Sequence, residues 1–401
     1  MSRQTQVLVV GAGPTGLTAA IMLARLGIRV RIVDKNAGRS MQSKALGVQA
    51  GTLECLARAI APDIAREMIE AGRPVSEAWF HFDDHSPVRI DLGTIPSAYN
   101  FILVLPQSET ERILERQLNQ LSVQVERGIE LVGLTEEGQQ IVSALKDADG
   151  KVSSLQTSFV IGCDGAHSMV RHQAEIGFHG GSYTGDFILG DVGIDWRWPL
   201  DSIRTFISER GVVASFPMKG ERQYRLILIQ RDAAATTADP DLSLDTFNSI
   251  LQRLSQGQIQ ATDATWLARF RVHHRMVERF GKGRIFLAGD AAHIHSPAGG
   301  QGMNTGIQDA LNLAFKLERV LAGKASVDSL AAYDRERRPV ARNVVRGTDI
   351  VFKLALLPDN LLVSTLRGTL LPTIAGSRFV QRRIVRTVSE VGIARREMLR
   401  Y

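Results

Sequence analysis

Val7 to Val10 form an unbroken run of branched apolar residues, and Gly11-Ala12-Gly13-Pro14-Thr15-Gly16 follows at once. So short an apolar run fits a strand buried on both faces, and the glycines then demand a turn. Leu17, Ile21 and Ala24 recur at helical spacing, with Gly27 placed to end that helix. A second apolar run, Ile28 to Val33, ends in Asp34. The theme of a strand delivering an acid recurs twice, at Asp164 within residues 158–171 and at Asp290 within residues 284–304. The second recurrence runs through a proline and glycine loop into a long helix with Ile307, Leu311 and Phe315 on one face.

Between these segments the period shortens. Gln140 to Leu145 and Val152 to Ile161 flank Asp149-Gly150, a hairpin signal. Gly211 to Met218 and Gln223 to Gln230 flank a Lys219 to Arg222 turn, and Phe187 to Asp195 and Ala78 to Leu92 read as further strands. These strands predict an antiparallel sheet that roofs a cofactor and lines a substrate cavity. Asp232 to Leu242 reads as a surface loop, and the chain beyond Phe352 as helix alternating leucine-rich and arginine-rich stretches.

The first sixty residues carry a chemical reading. Gly11 permits the turn, Gly13 lets backbone approach a pyrophosphate, and Gly16 lets helix and strand pack closely. Backbone N–H groups around Thr15 then face phosphates at the positive helix end. Asp34 lies about twenty residues on, where an acid accepts both ribose hydroxyls, which favours FAD or NAD over a 2′-phosphate. A glycine turn alone has purely structural uses. The strand, helix and terminal acid together point to dinucleotide binding.

Three ordered motifs, G-A-G-P-T-G with Asp34, C-D-G-A-H-S-M-V-R (163–171) and G-D-A-A-H-I-H-S-P-A-G-G-Q-G-M-N (289–304), resemble the class A flavoprotein monooxygenases. This is the para-hydroxybenzoate hydroxylase-like family, and the likeness is to its phenol, pentachlorophenol and aromatic polyketide hydroxylase branch, from about residue 5 to about residue 350. The resemblance implies FAD as cofactor and NADPH or NADH as transient electron donor, since no second glycine fingerprint is visible. It implies hydroxylation of an aromatic, phenolic or polycyclic, by dioxygen through a flavin hydroperoxide. By the same resemblance Asp290 holds the ribityl chain, Gln107 contacts the ribityl region, and Asp164 lies near the pyrophosphate and the nicotinamide path with Arg171 as supporting cation. Lys44 stands where many members carry a phosphate-neutralising arginine, and Gly51 replaces another arginine of the branch. Gly302, Met303 and Asn304 place a helix start against the pyrimidine end of the flavin, worth on the order of 1 kcal/mol to the reduced anion. Gly299 and Gly300 let backbone lie against the ring, and Pro297 stiffens the loop.

The expected fold is α/β (α+β overall): a Rossmann-like FAD/NAD(P)-binding domain with an inserted antiparallel-sheet substrate domain and C-terminal helices. The expected layout assigns 1–75, 105–180 and 269–325 to the FAD-binding domain, 76–104 and 181–268 to the substrate domain, and 326–401 to a helical end.

Composition changes the picture little. At 401 residues, 44% hydrophobic and 22% charged, the chain is an ordinary globular enzyme rather than a disordered or collagenous one. Cys55 and Cys163 form neither a disulfide framework nor a metal spacing, which fits a reducing cytoplasm, and no export signal or membrane span is evident. The net charge of +6 draws on arginines at 378, 382, 383, 386, 395, 396 and 400, read as a solvated helical face; no nucleic-acid module is present. His293 and His295 tempt a metal reading but lack a third ligand. A phenol needs help losing its proton, and Tyr224, His81, His85, His273 and His274 qualify by chemistry alone, so no catalytic acid or base is assigned. Trp196-Arg197-Trp198-Pro199 partly matches a signature of flavin-dependent halogenases, for which a packing role is the simpler reading. A halogenase or other FAD oxidoreductase is therefore the rival enzyme, and a non-catalytic FAD and aromatic-ligand binder the rival of another class.

Overall fold

A computed structural model describes residues 5–40, 45–82, 86–183, 185–196, 198–231, 242–296, 299–355 and 371–398. Val7–Val10 is fully buried because it stands inside a six-stranded sheet, parallel to Phe159–Gly162 on one side and to Val30–Asp34 on the other. Val125–Arg127 extends that sheet beyond Val30–Asp34, while Ile285–Leu287 and a short antiparallel Gly281–Lys282 extend it beyond Phe159–Gly162. Helices Pro14–Arg25 and Gly302–Leu321 pack together beside this sheet. A parallel sheet covered in this way reads as continuous apolar runs, as seen at its centre.

The run expected as one strand from Val152 to Ile161 is two. Val152–Thr157 pairs antiparallel with Gln140–Lys146, whereas Phe159–Gly162 joins the parallel sheet. The switch falls at Ser158, where the amides of Ser158 and Phe159 both donate to the carbonyl of Gln6 at 2.9 and 3.1 Å. Polar Val152–Thr157 is mostly exposed and Phe159–Gly162 wholly buried, so two environments meet inside one apparent strand. Ala78 to Leu92 likewise resolves into Glu77–Phe82 and Val88–Asp91, paired antiparallel.

These two strands form one edge of a seven-stranded sheet that continues through Ser202–Ser208, Gly211–Pro217, Gln223–Gln230, Asp186–Ile194 and Ala261–Phe270. All its pairings are antiparallel except Ser202–Ser208 with Glu77–Phe82. Alternation gives it two faces. Ile188, Val192, Phe206, Val213, Leu226 and Leu228 pack under helix Leu244–Leu254, which presents Phe247, Ile250, Leu251 and Leu254. Those four side chains bury roughly 6–12 kcal/mol of gross transfer energy. On the opposite face Ile203, Ala78, Phe80 and Phe216 meet Leu46, Ala50, Ile102 and Val104 of the other body.

That alternation sorts the candidate bases. Tyr224 is buried in the helix-covered face, and His81 stacks on Phe206 of the same face at 4.5 Å. Both therefore point away from the face that meets the parallel-sheet body. His85 and the stretch 232–241 of the expected surface loop lie outside the described residues.

Candidate functional site

Two helix starts define the site. At the first, Gly11 has φ +100°, and a Cβ there would stand 2.4 Å from the carbonyl oxygen of Cys163. A Cβ on Gly16 would lie 1.9 Å from the carbonyl oxygen of Gly11, so only glycine lets the helix sit on the turn. At Gly13 a Cβ would meet nothing within 4 Å, so this position borders open space. Helix Pro14–Arg25 has neither a side-chain cap nor an acid in its first turn. Its first amides and partial positive charge are thus available to an anion.

Asp34 braces the same turn. Its Oδ2 accepts from the amide of Ala12 at 2.7 Å and its Oδ1 from that of Asn36 at 2.8 Å, which leaves each oxygen further lone-pair capacity for a ribose hydroxyl. The Thr15 side chain points to a helix crossing: added Cβ atoms on Gly289 and Gly306 would lie 2.6 and 2.4 Å from its Oγ1. Only the backbone of Thr15 is left for phosphate.

Asp290 is exposed in the short turn Gly289–Ala291 that follows strand Ile285–Leu287. A buried group unanticipated from sequence fixes that turn. Asp309 is inaccessible to solvent, and its Oδ2 accepts from the amide of Gly289 at 3.2 Å and faces His293 Nε2 at 2.7 Å. Its Oδ1 accepts from Arg337 Nε at 2.6 Å. Burial pushes the Asp309 carboxyl up, yet Arg337 and His293 together hold it below the usual aspartate range. The His293 ring is thereby committed to Asp309. Among the described residues no group of three or more His, Cys, Asp or Glu could hold a metal.

At the second helix start, Gly302–Leu321 likewise has no side-chain cap and no acid in its first turn. Gly299 and Gly300 precede it with φ of +86° and +59°. Asn304 is completely buried. Its Oδ1 accepts from the Gln49 amide at 2.9 Å, and its Nδ2 donates to the carbonyls of Gly47 and Gly300, both at 2.8 Å. Gln49 Nε2 in turn donates to the carbonyl of Gly299 at 3.1 Å. The Asn304 side chain thus latches two helix starts, Ala50–Ala59 and Gly302–Leu321, rather than reaching outward. Sequence reading missed Gln49, whose only signal is its place just before a helix. The imidazole of His295 lies beside Gly302 and donates from Nδ1 to the carbonyl of Ser296 at 2.7 Å. Burial lowers its pKa to about 4, so the ring is neutral. Met303 packs half-buried against the main core, while Lys44 and Pro297 lie outside the described residues.

The remaining candidates have local duties. Asp164 caps the short helix after it, accepting from Ser168 Oγ at 2.5 Å and from the amides of Met169 and Val170 at 2.6 and 3.1 Å; burial raises its pKa against those bonds. Arg171 donates to the carbonyls of Ala291 and Ala166 at 2.9 and 2.8 Å and lies 4.0 Å over the Phe178 ring. It therefore ties the Asp164 turn to the Asp290 turn, and burial lowers its pKa. Gln107 opens helix Gln107–Gln120 and donates to Glu111 at 2.8 Å. His273 and His274 open strand His273–Val277, which pairs with Phe178–Ser182 on one side and with His293–Ile294 on the other.

A dinucleotide-binding α/β body with two uncapped helix starts, joined to a large antiparallel sheet, is the architecture of a flavin-dependent oxidoreductase. Residues 4–348 match the family model described as FAD binding domain. The chain is 34% identical over 354 residues to a protein of Bacillus subtilis (strain 168) named as an uncharacterized aromatic compound monooxygenase, covering 88% of this chain and 69% of that protein. To the 6-methylpretetramide 4-monooxygenase of Streptomyces rimosus it is 36% identical over 354 residues, covering 88% of this chain and 62% of the other. The solved anhydrotetracycline hydroxylase of Streptomyces rimosus superposes with a TM-score of 0.79 at 28% identity, covering 96% of this chain and 76% of that one. The chain belongs to the family of FAD-dependent aromatic monooxygenases, and FAD is its cofactor. It spans between 62% and 69% of the length of the first two of these relatives. Among the described residues no helix is long and apolar enough to cross a membrane.

Proposed function

We propose that this chain hydroxylates a phenolic or polycyclic aromatic with dioxygen, drawing electrons from NADPH or NADH. The observation that carries this reading is the bridging segment Ala45–Gln49. The carbonyl of Ala45 accepts from Arg225 Nη1 of the seven-stranded sheet at 3.4 Å, while Gln49 is latched to Asn304 at the second helix start. The apolar sheet face and the second helix start are thereby held around one segment, and the proposal seats the aromatic beside that segment. Arg225 is itself fixed by Asp191, with Nε and Nη2 each 2.6 Å from a carboxylate oxygen.

The residues present fit FAD: open space at Gly13, ribose acceptors at Asp34, and amides at two helix starts. Bound FAD supplies the redox chemistry that activates dioxygen. The protein's part is to bind phosphates through the Pro14–Arg25 start, to orient the ring with Gly299, Gly300 and the Gly302–Leu321 start, and to keep water out. We extend the proposal to a layout with FAD-binding segments 1–75, 105–180 and 269–325, substrate-binding segments 76–104 and 181–268, and a helical end at 326–401, and to a cytoplasmic location. Gly11, Gly13, Thr15, Gly16, Asp34, Asp164, Arg171, Asp290, Gly299, Gly300, Gly302, Met303 and Asn304 are the cofactor-facing set within it, with Gln107 at its margin.

Trp196 packs edge-on to Tyr224 at 4.8 Å and to Trp198 at 5.0 Å on the helix-covered face, which favours packing over a halogenase role. The test is oxygen consumption by the FAD-loaded protein with NADPH, then NADH, across phenols and polycyclic aromatics. Ligand-stimulated uptake with an oxygenated product is expected. Bound FAD reduced by neither nicotinamide would instead favour the non-catalytic binder.

A further inference from the structure

The C-terminal helices carry a contact set that the FAD-binding motifs do not explain. Helices Arg378–Val388 and Val391–Met398 meet at a sharp corner, Ser389-Glu390, and Glu390 holds φ +56°, a left-handed conformation unfavourable for a glutamate. The Glu390 side chain is nevertheless buried, with Oε2 accepting from Gln308 Nε2 at 2.6 Å and Oε1 facing Thr305 Oγ1 at 3.5 Å. Gln308 and Thr305 lie in the first two turns of Gly302–Leu321. Just before that helix, Gln301 Nε2 donates to the carbonyl of Thr387 at 3.1 Å.

The same corner meets the other latched helix. The amide of Gly51 donates to the carbonyl of Ser389 at 2.8 Å. A Cβ on Gly51 would stand 2.7 Å from the backbone carbon and oxygen of Glu390, so no side chain fits there while the corner is seated. Farther along, Arg395 donates to Glu54 at 2.9 Å and to the carbonyl of Pro96 at 2.7 Å, and Gln381 Nε2 donates to the carbonyl of Arg89 at 2.9 Å. Val385 and Val391 pack with Leu46, Ala50 and Ile203.

We propose that the corner Thr387–Val391 is a docked strap that sets the direction of both latched helix starts, with Glu390 as its positioning residue, so that strap seating and FAD occupancy support each other. Three observations converge on it. The corner touches both helices whose starts are joined by Gln49 and Asn304, it does so through a buried acid in a left-handed conformation, and only a glycine at position 51 leaves room for it. Burial pushes the Glu390 carboxyl up to about 8 against the pull of Arg337, so the site takes a carboxyl at real cost. Asp309 and Arg337 are the charged groups beneath it.

The test compares the wild type with Glu390→Leu, Glu390→Gln and Gly51→Ala. FAD dissociation constants are read by quenching of FAD fluorescence on reconstitution, and strap seating by trypsin cleavage at the exposed Arg382, Arg383 and Arg386 with and without FAD. Circular dichroism and the absorption bands of bound FAD separate misfolding from mispositioning. In the wild type FAD should slow cleavage of the strap; Glu390→Leu and Gly51→Ala should weaken FAD binding about tenfold and remove that protection. Glu390→Gln, which keeps one oxygen to accept from Gln308 and turns an uncharged N–H towards Thr305 Oγ1, should restore binding and spectrum. Folded Leu and Ala variants with unchanged FAD affinity would overturn the proposal. So would equal wild-type cleavage with and without FAD, which decides the matter even if a variant fails to fold. Neither readout uses an aromatic substrate, so failure here leaves the hydroxylation reading standing, and the reverse.

Discussion

The two helix starts of the site are built by different means. The Pro14–Arg25 start is shaped by backbone alone: two glycines tolerate contacts of 2.4 and 1.9 Å that no Cβ survives, and a third borders open space. The Gly302–Leu321 start is shaped by side chains from distant segments, with Gln49 and Asn304 on one side, Asp309 with Arg337 and His293 below, and Glu390 beyond. A backbone-shaped site fails abruptly or not at all, whereas a latched one loosens by degrees.

A set of substitutions and one titration sharpen that contrast. Gly16→Val forces a side chain into the Gly11 carbonyl and should leave no folded protein, checked by circular dichroism after expression. Gly13→Val points into open space, so the fold should survive with an unchanged melting temperature while FAD retention on gel filtration is lost. Loss of fold at Gly13, or retained FAD, would break the claim that this space is the phosphate seat. Asp309→Ala strands Arg337 in the core and should destabilise by about 3–5 kcal/mol in chemical denaturation, with FAD affinity falling as the Gly289 turn is freed. Asn304→Ala removes three hydrogen bonds and should lose about 2–3 kcal/mol, with weaker FAD binding in a protein that still folds.

The smallest effect is one of pH. His295 and His81 are both lowered to about 4 from 6.5, chiefly by burial. Below pH 6.5 the unfolded chain binds protons these rings refuse, so stability should fall as pH drops from about 6.5 towards 4. His295→Asn and His81→Asn should each flatten that limb of the melting curve. Tyr224→Phe, on the covered face of the sheet, should leave kcat within about twofold, a bound set by the weak net worth of one hydrogen bond; a larger loss would reverse our assignment of faces.

The contrast also explains what could be read in advance. Gly13, Gly16 and Asp34 lie within one unit of consecutive chain and are held by contacts inside it, so the sequence displays them, whereas the close approach at Gly11 is to distant Cys163. Asp290 and the glycines before Gly302 are visible for the same reason. Gln49, Asp309, Arg337 and Glu390 act through partners 16 to 255 residues away, and nothing local distinguishes Glu390 from Glu397 in the same arginine-rich stretch. The division of Val152 to Ile161 was hidden because both halves favour extended chain; only the change from exposed to buried positions marks the switch of sheets. The faces of Tyr224 and His81 depend on register, which side-chain chemistry does not reveal.

The most direct measurement is a crystal structure of this protein with FAD. The account predicts the pyrophosphate beside Gly13 at the first amides of Pro14–Arg25 and the pyrimidine edge of the ring at the start of Gly302–Leu321, with the Gln49–Asn304 latch intact. FAD bound with either end elsewhere, or a latch broken by its binding, would contradict the two-start cradle.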